Sequence, residues 1–112
     1  MDKLRGTLGL CMKAGKLVTG EEGVLKAIRS NKAKVVILAN DASANTVKKI
    51  TDSARFYNVP VIFYSTKADI GRALGKNIRA SLAVTDMGFG AKIIKTAEEL
   101  SGGGAIVEDK NI

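Results

Sequence analysis

Hydrophobic and polar positions alternate along this chain in blocks that change period. Leu4, Leu8, Cys11 and Met12 recur at helical spacing over residues 2–14, with Lys3, Arg5 and Lys13 elsewhere around the barrel, and Gly15 supplies a helix stop. Residues 17–19 suit a short strand. Residues 21–30 suit a helix whose apolar stripe is Val24, Ala27 and Ile28. Residues 34–39 then run almost without a polar break, the pattern of a strand covered on both faces.

The rest of the chain repeats this logic. Ser43 is a natural N-cap for a helix over 43–57 with Val47, Ile50 and Ala54 inward, and Asn58 stops it before Val59-Pro60. A strand is expected at 61–64, a short helix at 67–75, a loop at 76–80 and a strand at 81–85. A final helix over 90–100 has Ile93, Ala97 and Leu100 inward. Alternating helices and aliphatic strands predict an α/β fold, a three-layer αβα sandwich around a four-stranded mixed sheet. Residues 1–101 read as one domain, and residues 102–112, opening on three glycines, read as a flexible acidic tail.

Composition narrows the function. Aromatics are only 4% of the 112 residues, so the core is built from Val, Ile, Leu and Ala. The net charge is +7 but uneven: residues 1–97 carry 17 bases against 7 acids, a net of +10. A compact domain of that charge attracts polyanions. Cys11 is the only cysteine, so no intrachain disulfide forms. No apolar run reaches the ~20 residues of a membrane span, and no signal-peptide pattern opens the chain, which predicts a cytoplasmic protein.

Catalytic constellations are thin. The chain has no His, which removes the common metal sites and the Ser–His and Cys–His nucleophiles. Cys11 on an apolar stripe reads as a small buried hydrophobe. The Gly71–Gly75-Lys76-Asn77 run resembles a phosphate loop but has three residues between its glycines rather than four, and Asn77 replaces the Ser or Thr that would ligate magnesium. Gly88-Phe89-Gly90 lacks the third glycine of a dinucleotide fingerprint and reads as a loop. The expectation is a protein that is not an enzyme and has no cofactor and no metal.

The strongest local signal is Gly20-Glu21-Glu22-Gly23-Val24-Leu25-Lys26. It opens a helix on glycine, with Lys26 and Arg29 behind, and a helix N-terminus backed by cations suits phosphate and base edges. A plain helix start explains the two acids, which complement the dipole. It does not explain Gly23, which costs about 1 kcal/mol against Ala inside a helix and suggests close approach of another backbone.

These residues resemble the kink-turn-binding ribosomal-protein superfamily, that of large-subunit ribosomal proteins seven-Ae and thirty-e. The resemblance rests on Gly20 to Arg29, Ala33 to Asp41, Asn58 to Val61, Ser65 to Lys67 and Ile70 to Gly75. It covers roughly residues 3–100, and Val84 to Phe89 is similar to the bacterial YlxQ-like branch. The resemblance implies an RNA-binding protein for kink-turns or similarly bent RNA, a ribosome-associated ribonucleoprotein component that acts as a monomer. The implied RNA contacts are Gly20, Glu22, Gly23 and Lys26 on the glycine-opened helix. Ile78 and Arg79, in the loop at 76–80 after the short helix, would meet an extruded nucleotide. Lys13, Lys16, Arg29, Lys32 and Lys76 would supply the backbone field. Glu22 and Gly23 stand where the family carries Asn and Glu. That departure leaves open the alternative of a protein-interaction or ribosome-assembly factor without specific kink-turn reading.

Overall fold

A computed structural model of the chain describes residues 2–101; the expected tail at 102–112 lies outside the described residues. Asp2 accepts the Arg5 amide at 2.9 Å and opens α1 (Lys3–Lys13). Amides of Gly15 and Lys16 bond back to the Met12 and Cys11 carbonyls and close it. The chain continues through β1 (Leu17–Thr19), α2 (Glu21–Arg29) and β2 (Val35–Leu38). Ser43 caps α3 (Ala44–Phe56) by accepting the Thr46 amide at 3.2 Å. Then come β3 (Val61–Phe63), α4 (Lys67–Ala73), β4 (Ser81–Val84) and α5 (Met87–Ser101). The alternation is the one the hydrophobic pattern predicts.

The sheet has the order β1-β4-β2-β3. β4 pairs antiparallel with both β1 and β2, and β2 pairs parallel with β3, so the sheet is mixed. Successive side chains of a strand point to opposite faces. Val35, Ile37, Leu82 and Val84 therefore pack with Leu4, Leu8, Cys11, Ile70 and Ile93 of α1, α4 and α5. Val36, Leu38 and Ala83 pack with Val24, Ala27, Ile28, Ile50 and Ala54 of α2 and α3. Both faces of β2 and β4 are buried, which is why their sequences carry no polar alternation. Each fully buried aliphatic side chain contributes about 1.5–3 kcal/mol, so the two central strands hold the layers together.

Two expectations are corrected. The last helix starts at Met87 rather than residue 90: Asp86 accepts the Phe89 amide at 2.8 Å, as an N-cap does, and Gly88 and Gly90 lie inside the helix rather than in a loop. Leu100, expected inward, is 49% exposed near the end of α5.

β2 runs back along α2, α3 runs back along β2, and β3 runs parallel to β2. The two helices α2 and α3 are consequently parallel, with both N-termini at the end of the sheet where β4 begins. At that same end the loop after α4 folds back tightly. The Lys76 amide bonds the Gly71 carbonyl at 2.8 Å and the Arg79 amide bonds the Lys67 carbonyl at 3.0 Å. Gly71 is buried, and a β-carbon on it would collide with the backbone carbonyl of Asn77. Backbone cannot swing aside as a side chain tip can. Gly71→Ala is therefore expected to lower unfolding stability by about 1–3 kcal/mol, measured by urea denaturation. Gly6→Ala, where nothing lies within 4 Å of the added carbon, is the control and should not destabilise.

Candidate nucleic-acid interface

Gly20 is the N-cap of α2, with φ 92° and ψ 151°. That backbone region is essentially glycine-only, so the residue type is dictated by the geometry. Its carbonyl accepts the Val24 amide at 2.9 Å, the first bond of the helix, and its own amide donates to the Ser81 carbonyl at 3.1 Å. Gly20 has no side chain to cap the helix. The amides of Glu21, Glu22 and Gly23 precede the first intrahelical bond and form the positive end of the helix dipole.

The two first-turn acids have different fates. Glu21 turns to α3, where its carboxylate accepts from Thr46 Oγ1 at 2.9 Å and from Lys49 Nζ at 3.0 Å. Lys49, then Thr46, hold its carboxyl below the usual carboxylate range. Glu22 is exposed. It lines a groove of about 670 Å³ with Gly23, Leu25, Lys26, Arg29 and Ser30.

A second recess, of about 350 Å³, lies on the other side of the α2 start. Thr19, Gly20, Glu21 and Thr46 form one part of it and Ile78, Arg79, Ala80 and Ser81 the other. Ile78 is 60% exposed there. Arg79 Nε donates to Thr19 Oγ1 at 3.2 Å and Nη1 to the Ile78 carbonyl at 2.8 Å, which lays the guanidinium across the end of β1. An exposed aliphatic side chain beside a positioned guanidinium suits an unstacked base and its phosphate.

Among the residues singled out from sequence, the structure brings Gly20, Ile78 and Arg79 to one recess, and Glu22, Gly23, Lys26 and Arg29 to a groove along α2. Lys76 is exposed on the same loop as Ile78. Lys13 lines a separate recess with Arg72 and Gly75. Lys16 lies at the opposite end of β1, where its carbonyl accepts the Thr85 amide at 3.0 Å. Lys32 follows the C-terminus of α2. Thr19, Thr46, Lys49 and Ser81 were not foreseen. They meet the site through contacts across 25 to 61 residues, and no local pattern marks those.

The reason for Gly23 also differs from expectation. A β-carbon there would lie 2.7 Å from Cγ1 of Val18, so the glycine admits a neighbouring side chain of β1 rather than another backbone. Cys11 is fully buried with its thiol pushed up to about 11, first by burial and then by Asp86, and it packs rather than reacts. Among the described residues no group of three or more His, Cys, Asp or Glu is placed to hold a metal ion. No helix among them is long and apolar enough to cross a membrane.

A sheet carrying a glycine-capped helix start beside an Ile-Arg loop defines a class that the comparisons identify. Residues 2–94 match the ribosomal protein L7Ae/L30e/S12e/Gadd45 family, and the chain belongs to it, on the YlxQ-like branch. It is 48% identical over 87 residues to the RNA-binding protein YlxQ of Bacillus subtilis (strain 168), covering 78% of this chain and 87% of that one. Identity to large ribosomal subunit protein eL30 of Branchiostoma belcheri is 38% over 90 residues, 79% of each chain. A solved protein of unknown function from Bacillus halodurans superposes with a TM-score of 0.85 at 37% identity, covering 88% of this chain and 99% of that one. The Giardia lamblia 15.5kD RNA binding protein shares the fold, with a TM-score of 0.75 at 20% identity over 88% of this chain and 85% of that one. The family is non-enzymatic.

The charge pairs at this end of the molecule predict an acid response. Asp69, like Glu21, is held below the usual carboxylate range, by Ser65 first and then Arg5. A lowered folded-state pKa means that the stabilisation is complete above the usual range and is lost as pH falls through the folded-state value. Thermal melts taken from neutral pH into the acid range should show falling melting temperature. Glu21→Gln should flatten part of that fall, and an unchanged slope would mean the Lys49 pair contributes nothing.

Proposed function

We propose that the protein binds RNA and reads kink-turn or similarly bent structured RNA, as a cytoplasmic monomer associated with the ribosome. The observation that carries this reading is a recess at the Gly20 end of α2 together with a groove that starts one turn along the same helix. The groove offers first-turn amides with Lys26 and Arg29 behind them. The recess offers Ile78 and Arg79. A bent RNA presents both things that such a pair fits: base edges with close phosphates in a groove, and a nucleotide pushed out of the stack. Lys26 is suited to guanine O6 and N7. The net of +10 over residues 1–97 supplies attraction without sequence preference. The names of the relatives, RNA-binding YlxQ and ribosomal eL30, support the same class of ligand.

Glu22 favours a second reading. It is an exposed carboxylate in the groove where the family carries Asn, and it opposes phosphate. A ribosome-assembly or protein-interaction factor that kept the fold without kink-turn reading would carry such a change at no cost to its role.

Electrophoretic mobility shifts with a kink-turn and a straightened duplex of the same composition separate the two. The first reading predicts tighter binding to the kink-turn at moderate salt, and equal affinity contradicts it. Lys26→Ala should weaken kink-turn binding by about 1–3 kcal/mol while leaving the melting temperature unchanged. Unaltered affinity would move the contact off α2.

A further inference from the structure

Phe56 ends α3 with 79% of its surface exposed, the largest exposure of any big apolar side chain among the described residues. Its ring meets Tyr57 with centroids 5.0 Å apart and planes at 70°. Tyr57 is itself packed against the α2–α3 core, so the edge-to-face contact steadies the Phe56 ring without covering it.

The place of this ring in the fold gives it a partner. Because α2 and α3 are parallel, Phe56 stands at the end of the layer where α2 terminates. Between Gly23 and Asn40 the chain carries Lys26, Arg29, Lys32 and Lys34 and no acid at all. Lys26 and Arg29 line the α2 groove, and Lys32 is exposed just beyond it. Arg55 precedes the ring, 3.9 Å from Asp52, an acid already paired with Lys48 at 2.9 Å. Arg29 and Lys32, at the α2 C-terminus and just beyond it, therefore stand at the same end of this layer as the bare aromatic ring. α2 has nine residues and spans about 14 Å.

We infer that Phe56 is a second RNA contact, a platform on which an unpaired nucleotide flanking the bent element stacks while Arg29 and Lys32 follow its backbone. Aromatic faces beside cationic grooves are the usual way to hold single strands without reading their sequence. A protein docking on the same ring would need no cations beside it. The inference rests on the RNA reading above and adds a ligand feature to it, a single-stranded flank.

The test uses the full chain and fluorescence anisotropy with a blunt kink-turn RNA and with versions carrying an unpaired oligouridine flank at each strand end in turn. One flank should tighten wild-type binding by about fivefold or more. Phe56→Ala and Phe56→Leu should lose that gain, Phe56→Tyr should keep it, and all three should bind the blunt RNA as wild type does. Gain from no flank, or a gain that survives Phe56→Ala, overturns the contact while leaving kink-turn reading intact. Failure of the wild type to bind the blunt kink-turn overturns both. A Phe56→Ala effect on sedimentation mass with no effect on any flanked RNA assigns the ring to a protein partner and also overturns it.

Discussion

The hydrogen bond from the Gly20 amide to the Ser81 carbonyl joins the two halves of the candidate interface. On one side of it α2 begins, and on the other the loop carrying Ile78 and Arg79 becomes β4. That bond requires β4 to start beside the end of β1, and the start of β4 is set by how sharply the chain returns from α4. The return depends on Gly71, whose missing side chain makes room for the Asn77 carbonyl. A glycine buried in a helix, with no ligand near it, thus sets the spacing between a helix N-terminus and an aliphatic-arginine loop. The aliphatic core on both faces of β2 and β4 keeps that spacing rigid, because neither strand can shift register without exposing one of its faces.

Charge is arranged around the same junction. Glu21 sits at a helix N-terminus that would suit an anion, yet Lys49 and Thr46 draw its carboxylate across to α3. The pair ties the two helices together and leaves the exposed groove to Lys26 and Arg29. Glu22 is the remaining acid there. On the opposite layer, Asp2 accepts from Tyr64 at 2.8 Å while Arg5 pairs with Asp69, so α1 is anchored to the end of β3 and to α4. Those charges are used in holding the scaffold rather than in facing a ligand.

Much of this architecture was legible because the chain is locally consistent. The unbroken run at 34–39 has only one comfortable place, a central strand, and the helical stripe of Val24, Ala27 and Ile28 has only one face to bury. Legibility failed where a local rule competes with a long-range contact. The glycines at 88 and 90 hid the true start of α5, although Asp86 was available as its cap. Gly23 suggests an approach of backbone, but its neighbour is the side chain of Val18 on an adjoining strand. Lys13 and Lys16 carry the right charge for the interface, yet α1 and the far end of β1 carry them away from the Gly20 junction. Thr46 and Arg79 could not be linked to the α2 start by spacing, since sheet order alone brings them there.

On the proposed reading, RNA is met at the Gly20 end of the sheet and along α2. Backbone amide chemical shifts of the isotopically labelled protein, followed through titration with a kink-turn RNA, test it most directly. Large shifts are expected at Gly20, Gly23, Lys26, Ile78 and Arg79, with the α5 amides from Lys92 to Glu98 unmoved. Shifts concentrated on α5 and α1, with Gly20 and Ile78 unmoved, would contradict it.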